Sequence, residues 1–300
     1  MKHIFIINPH AGAHDSYEPT VNALKPFMDK FDIEIHKTGH EKDATEFIKD
    51  YLKTHPNDEE VRFYSAGGDG TLNEVVNGVV GYENASISLY PSGSGNDFVK
   101  SLPNPPSYLD FEKLLTAKNK KIDVLSINNE LYCVNVCNFG FDAIVAETAN
   151  RLKKQGKKNA YTKGIVKALF NGMKNQITVE VDGKTLNPSG KLLLANCANG
   201  AYYGGKYKCA PNYVLDDGLI EVCLVNPVSV PTFLKLVKKY SLGEHLTDKR
   251  FEKHIVYLRG KKVKMFSDKP FVVSIDGEII SGKEFTVEIL EKSLNFGFTE

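Results

Sequence analysis

The chain has 300 residues, 42% of them hydrophobic and 25% charged, with 38 basic against 37 acidic side chains and a net charge of +1. That length predicts two domains with ample material for cores, and the balanced charge excludes a global attraction to nucleic acid, so an electrostatic partner must meet a local patch. The five cysteines (Cys133, Cys137, Cys197, Cys209, Cys223) are odd in number, lack C-x-x-C spacing and lie mostly in apolar runs. They read as buried free thiols of a reducing cytoplasm rather than zinc ligands or disulfides. No run approaches about 18 apolar residues, so nothing is expected to span a bilayer, and the opening M-K-H-I-F-I-I-N-P is too short in its apolar part for a signal peptide.

Taken in order, His3–Ile7 reads as a strand that turns away through Asn8-Pro9-His10-Ala11-Gly12. Tyr17–Lys30 is expected as a helix, Phe31–Lys37 as a strand ending at Thr38, and Asp43–Thr54 as a helix with Ala44, Phe47, Ile48, Tyr51 and Leu52 on its apolar side. Val61–Ala66 is a buried strand. It passes through Gly67-Gly68-Asp69-Gly70 into a helix from Thr71, where Leu72, Val75, Val76 and Val79 share one face. Ile87–Tyr90 is a strand that breaks at Pro91, before the loop Ser92-Gly93-Ser94-Gly95-Asn96-Asp97.

Near Ile122–Leu125 the alternation stops, and short strands dominate: 131–137, 177–181, 191–197, 219–225, 255–258, 263–266, 271–275 and 285–290. Strands at that density indicate an antiparallel β-sandwich or barrel. The expectation is therefore an N-terminal three-layer α/β domain, residues 1–122 with 291–300 returning to it, and an antiparallel β-sandwich over 123–290. Arg151 to Lys174 interrupts the β pattern with Arg151, Lys153, Lys154, Lys157, Lys158, Lys163, Lys167 and Lys174, no acid, and Tyr161, Ile165, Leu169 and Met173 on one helical face. Such a helix either packs its apolar face with its lysines solvated, the favoured reading, or lies on an anionic membrane. Nucleic acid is the weakest partner, because no aromatic residues interleave with a long charge stripe.

A strand-to-helix turn built of glycines presents unpaired helix N–H groups to an anion, most often phosphate. This turn has no Walker lysine, and the third glycine of a G-x-G-x-x-G falls at Asn73. Asp69 would repel a bare phosphate, so it either manages a Mg²⁺ between the two or caps the helix. In the second loop, Ser94 and Asn96 can donate to phosphate. Asp97 cannot, and either orients an acceptor hydroxyl, shares the metal, or caps the next turn.

The run G-G-D-G-T-L-N-E-V-V-N-G at Gly67–Gly78 resembles the signature of the diacylglycerol kinase catalytic-domain family, in particular its soluble bacterial lipid kinases; sphingosine and ceramide kinases also belong there. Gly-Gly-Asp-Gly-Thr alone is shared with NAD kinases and, more loosely, phosphofructokinases. Asn8-Pro9-x-x-Gly12, Pro91-x-Gly93-x-x-Asn96-Asp97-Phe98 and Asp276-Gly277-Glu278 narrow the match and span almost the whole chain in the family's order. The resemblance implies an ATP-dependent lipid kinase with Mg²⁺, a lipid substrate met at the inner face of the membrane, and a cytoplasmic protein that visits that surface transiently. It implies nucleotide contacts from Asn8, Pro9, His10, Ala11, Gly12, Thr38, Gly67, Gly68, Asp69, Gly70, Thr71, Asn73, Glu74, Gly93, Ser94 and Asn96. Asp69 and Asp97 join Glu278 in catalysis, Glu278 as the general base.

Asp276-Gly277 also reads as a plain hairpin turn, and Val181-Asp182-Gly183-Lys184 is an internal control with a lysine in place of Glu278. Asp216-Asp217-Gly218 likewise reads as a turn. The resemblance implies a structural Mg²⁺ there on Asp217 and the carbonyls of Val214 and Leu219. Asp142, in Asn138-Phe139-Gly140-Phe141-Asp142, is a helix cap or, as in the sphingosine branch, a lipid head-group contact. The alternatives in other classes are an NAD kinase and a catalytically silent nucleotide- or lipid-binding regulator. A homodimer stays open, since no heptad or exposed strand identifies one.

Overall fold

The computed structural model describes residues 1–12, 15–56 and 60–299; the side chains of Lys153 and Lys154, two of the basic run, lie outside the described residues. The chain divides into two compact units, Met1–Val124 with Glu291–Glu300, and Leu125–Leu290.

In the first unit β1 (Lys2–Ile7), α1 (Tyr17–Leu24), β2 (Ile33–Lys37), α2 (Asp43–Thr54), β3 (Val61–Gly67), α3 (Asp69–Val79), β4 (Ala85–Pro91) and α4 (Phe111–Leu115) follow one another. The strands pair in parallel in the order β4-β3-β1-β2, and Asn295 and Phe296 from the end of the chain add a parallel edge beside Ser86 and Ile87 of β4. β3 is buried along its whole length, which explains why its residues, Arg62 apart, are apolar or small: a parallel strand covered on both faces has no solvent side to show. The helix expected over 17–30 ends at Leu24 and continues as a 3₁₀ turn through Phe27, because Pro26 lacks the N–H that an α-helix needs there. α3 begins at Asp69, two residues before the predicted Thr71.

Arg62 lies at the centre of this unit with 1% of its surface exposed. Its guanidinium donates to Ser86 Oγ (3.3 Å), Leu114 O (3.2 Å), Ala117 O (2.9 Å) and Asn119 Oδ1 (2.9 Å). A buried charge is tolerated because carbonyls left over at the end of α4 receive it.

β5 (Lys118–Ile127) begins in the first unit and ends in the second, which also holds β6 (Leu131–Cys133), β7 (Val136–Gly140), α5 (Phe141–Lys154), α6 (Ala160–Asn171), β8 (Asn175–Gln176), β9 (Thr178–Val181), β10 (Lys184–Thr185), β11 (Lys191–Leu192) and β12 (Leu194–Ala198). The second unit continues with β13 (Tyr202–Tyr203), β14 (Tyr207–Lys208), β15 (Ile220–Val225), α7 (Val230–Ser241), β16 (Ile255–Gly260), β17 (Lys262–Ile275) and β18 (Glu278–Phe298), the last running on into the edge strand of the first unit. Antiparallel pairing gives the order β16-β15-β12-β7-β17-β18. β17 pairs β9 through Val263–Phe266 and β7 through Val273–Ile275. Between Phe266 and Phe271 its register shifts, so that Ser267, Asp268, Lys269 and Pro270 stand opposite Lys283 alone. The two strands expected at 263–266 and 271–275 are thus one strand bent at a bulge, which is how a ladder turns from one layer of a sandwich to the other.

One face of this sheet encloses a core that includes Cys137, Phe139, Val179, Met265, Val273 and Phe285. The other is covered by α5, α6 and α7 through residues such as Phe141, Val145, Ala168, Leu236 and Tyr240. The basic stretch 151–174 is the end of one helix and the whole of the next, divided where Gly156 (φ 69°) and Asn159 (φ 56°) turn the chain. Ile165, Leu169 and Met173 pack inward, whereas Tyr161 is partly exposed. α7 escaped the strand-by-strand reading, although Ser229 accepting from Thr232 N–H, Pro231 in the first turn and the spacing of Leu236 and Tyr240 announce it. Among the described residues no helix is long and apolar enough to cross a membrane.

Arg62→Leu is expected to cost about 3 kcal/mol or more, because buried acceptors lose their donor. Urea unfolding of both proteins measures it, and a loss within about 0.5 kcal/mol, the range of surface substitutions, would show that the carbonyls find other partners.

Candidate functional site

In the first unit β1 lies between β2 and β3, and the chain order reverses there. At such a switch point the loops leaving the carboxyl ends of neighbouring strands part and open a crevice. The loop after β1, Asn8–Gly12, and the loop after β3, Gly67–Gly70, flank it, and the loop after β4, Ser92–Asp97, stands beside the second.

Asn8 joins the first loop to the second: its Nδ2 donates to Thr71 Oγ1 (3.1 Å), its Oδ1 accepts from His10 N–H (2.9 Å), and its own N–H donates to Ala66 O (3.0 Å). Gly12 (φ 83°) approaches the third loop so closely that a Cβ would sit 2.6 Å from Ser92 O. The second and third loops touch backbone to backbone. Ser92 and Gly93 N–H both donate to Gly67 O (3.0 and 3.1 Å), and a Cβ on Gly93 would fall 2.3 Å from Gly68 Cα. Only glycine fits such an approach.

Asp69 is the first residue of α3 but does not cap it; Gly68 holds the cap position. Instead its Oδ1 accepts from Asp97 N–H (2.6 Å) and Phe98 N–H (3.4 Å), and a Cβ at Gly95 would fall 2.7 Å from its Oδ2. The carboxylate thus stitches the third loop to the second, at the helix end whose dipole favours negative charge. Asp97 is buried, pairs with Lys100 Nζ (2.7 Å) and makes no cap bond on the 3₁₀ turn that follows. Lys100 also donates to Gly95 O (2.9 Å). Sequence reasoning passed over this lysine, although the Asp97-x-x-Lys100 spacing was there to see. Asn96 takes a left-handed conformation (φ 49°) and donates to Gly93 O (2.7 Å). Ser65 and Ser92 hold buried hydroxyls that make no hydrogen bond among the described residues. Ser65 shares a small cavity of about 10 Å³ with Gly67, Gly68, Asp69, Asn96 and Phe98.

Three predicted nucleotide contacts make bonds within the unit itself. Glu74 turns to the start of α2, where its carboxylate accepts from Lys42 N–H (2.9 Å) and Ala44 N–H (3.2 Å), and burial pushes its pKa up. Asn73 is buried and receives the Asn77 amide on its carbonyl (2.8 Å) and its side chain (3.2 Å). Thr38 is buried at the end of β2, its N–H on Ile7 O (3.0 Å). Pro9 and Ala11 are buried within the first loop, and His10 is exposed.

In the second unit Asp276 (φ 48°) and Gly277 (φ 97°) form the tip of the β17–β18 hairpin. The Asp276 carboxylate accepts from Val134 N–H (3.0 Å), Val136 N–H (2.9 Å) and Cys133 Sγ (3.1 Å). Burial first, then Asp276, pushes the Cys133 thiol up, so it stays protonated and donates. Asp182 (φ 48°) and Gly183 (φ 82°) repeat this device, with Asp182 accepting from the N–H groups of Lys261 (3.1 Å) and Lys262 (2.9 Å). Turn geometry therefore accounts for both aspartates, and not for Glu278, which is exposed as the first residue of β18.

The expected metal turn does not fit a cation. Asp217 Oδ2 pairs with Arg259 (2.7 Å) and its Oδ1 accepts from Leu219 N–H (3.1 Å), so a guanidinium already neutralises it. Among the described residues no group of three or more His, Cys, Asp or Glu side chains is arranged to hold a metal. Asp142 is no helix cap either: it lies within α5, and Tyr203 OH donates to it (2.5 Å). Burial pushes its pKa up to about 7.

Fold and loops together define an α/β unit with three glycine-bearing loops, followed in the chain by an antiparallel sandwich. The diacylglycerol kinase catalytic domain matches residues 2–127, and the YegS C-terminal NAD kinase beta sandwich-like domain matches residues 135–296. The chain belongs to the diacylglycerol kinase catalytic-domain family of lipid kinases. It is 30% identical to the "Putative lipid kinase" of Staphylococcus epidermidis over 76% of this chain and 73% of that one, and 26% identical to the diacylglycerol kinase of Bacillus subtilis over 91% and 88%. In fold it is similar to a diacylglycerol kinase from Bacillus anthracis (TM-score 0.72, 21% identity, 99% of this chain and 97% of that). It is also similar to an NAD kinase from Archaeoglobus fulgidus in complex with ATP (TM-score 0.53, 13% identity, 99% and 94%).

The raised pKa of Asp142 gives a pH-dependent stability. Between about pH 4 and 7 the folded protein keeps a proton that the unfolded carboxyl, with its ordinary value near 4, has released, so stability falls as pH rises through that window. Asp142→Asn removes this dependence and is expected to gain stability relative to the parent by on the order of 3 kcal/mol between pH 4 and 7. Denaturant unfolding at both pH values measures the difference, and parallel pH profiles would refute it.

Proposed function

We propose that the chain is an ATP-dependent lipid kinase, transferring the γ-phosphoryl group of ATP to a hydroxyl of diacylglycerol or a related lipid. The observation that carries this reading is the approach of Gly68 to Gly93 with no room for a Cβ, at the helix N-terminus where phosphate is favoured. The backbone N–H groups there, the amide of Asn96 and the unpartnered hydroxyl of Ser92 suit phosphate oxygens. The relatives' names support the lipid acceptor.

Mg²⁺ is held in kinases by one or two carboxylates and the substrate's phosphates, a demand that Asp69 meets better than Asp97, whose charge is drawn to Lys100. Asp69 would hold the ion, which would neutralise phosphate charge, and the loops fix the phosphoryl group. Glu278 accepts the proton of the lipid hydroxyl as the new P–O bond forms and the bond from the γ-phosphorus to the bridging oxygen breaks, releasing ADP. Glu278 is exposed, and phosphoryl transfer asks little of a base beyond orientation.

Purified protein given labelled ATP, Mg²⁺ and mixed micelles of diacylglycerol should yield labelled phosphatidic acid. Asp69→Asn and Glu278→Gln should each lower kcat about 100-fold or more with folding unchanged. Undiminished transfer in both variants would sink the assignment of roles, and label appearing on NAD but on no lipid would reassign the acceptor.

A further inference from the structure

The turn at Asp216-Asp217-Gly218 is held by a cation that belongs to the chain itself. Arg259 on β16 stands directly opposite Glu221 on β15 in the ladder, and its guanidinium gathers oxygens from three places in the sequence. Nε donates to Glu221 Oε1 (2.6 Å), Nη2 pairs with Asp217 Oδ2 (2.7 Å), and Nη2 also donates to Asn212 O (3.4 Å). Glu221 is only 2% exposed, and Arg259 is its one ionic partner among the described residues. The other oxygen of Asp217 accepts from Leu219 N–H (3.1 Å), which closes the turn from within.

Drawing oxygens of separate segments onto one positive centre is what a structural metal ion does. A guanidinium achieves it with a rigid fork of N–H donors and a charge that no ordinary pH removes. The two cannot share Asp217. Mg²⁺ sits about 2.1 Å from a carboxylate oxygen, and at Oδ2 it would face the guanidinium across that same atom, positive against positive; Oδ1 is already taken by Leu219 N–H. The oxygens themselves remain hard, anionic and close together, since Asp217 and Glu221 touch one guanidinium, so they suit a divalent ion once that group is gone. We infer that Arg259 replaces, from within the chain, the structural Mg²⁺ that the resemblance implies at this turn, and that Asp217 and Glu221 form a latent divalent site which the guanidinium keeps closed.

Thermal unfolding of the whole chain without nucleotide is followed in excess EDTA, Mg²⁺ or Ca²⁺. The wild-type midpoint should agree in all three within about 1 °C, whereas a structural ion supplied at about a hundred times its dissociation constant would raise it by about 5 °C or more. Arg259→Met should lower the midpoint in EDTA by about 5 °C or more, because Glu221 stays buried without its counter-charge. Mg²⁺ or Ca²⁺ should restore about half of that loss or more, and adding Asp217→Asn should abolish the rescue. Arg259→Lys, which keeps the charge and loses the fork, should fall between the two and stay indifferent to ions. A wild-type rise of about 5 °C in Mg²⁺ that Asp217→Asn removes would overturn the replacement, and an Arg259→Met protein equally unstable with and without ions would overturn the latent site. Should Arg259→Met fail to fold in EDTA, folding that returns with Ca²⁺ supports the latent site and folding that does not return refutes it.

Discussion

Everything in the first unit converges on a contact with no side chain in it. Gly68 and Gly93 meet through their backbones, Gly67 O takes two N–H groups from the third loop, and Asp69 takes two more. Four donated bonds fasten a loop that has almost no apolar side chain to pack, so hydrogen bonding does there what burial does elsewhere. A loop held this way keeps its N–H groups aimed without waiting for a ligand to order it, which is the condition for electrostatic stabilisation of transferring phosphate.

The sheet beneath sets the precision of that contact. β3 and β4 run in register from Val61 and Ala85 up to Gly67 and Pro91, so the two loops leave side by side at the same height. α3 is fixed in turn by Glu74, whose carboxylate holds the start of α2 and whose carbonyl accepts from Thr45 Oγ1 (2.7 Å). A one-residue slip of β4 would move Gly93 away from Gly68 and send every side chain of the strand to the opposite face of the sheet. Core and site are therefore constrained by the same register.

The kind of fold and the family were legible because they depend on local signals: the change of period at Gly67–Gly70, glycines too dense to pack, and the switch from alternating to strand-dominated patterning. What the sequence hid was the direction in which a carboxylate points. Glu74 sits in the signature, yet its oxygens go to a neighbouring helix; Asp69 and Asp97 sit at helix starts, yet neither caps one; Asp217 stands in a metal-like turn, yet pairs with Arg259 forty-two residues away in the chain. An acid has the same letter whichever N–H or cation it meets, and only the tertiary structure chooses. α7 was missed for a different reason, since a run of strands on either side made a capped helix look like one more interruption.

The two Asp-Gly hairpins of the second unit supply a comparison within one molecule. Both aspartates adopt the same left-handed conformation and both collect backbone donors across the turn, so the fold asks for Asp182 and Asp276 alike. At the next position after each glycine the demand ends: one hairpin continues with Lys184 and the other with Glu278, and both are exposed. A side chain whose charge can be reversed between two equivalent turns is not chosen by the turn. Glu278 also stands opposite Ile275, not a cation, in its ladder, so cross-strand pairing gives no reason for an acid either. The turn therefore does not itself fix the identity of residue 278.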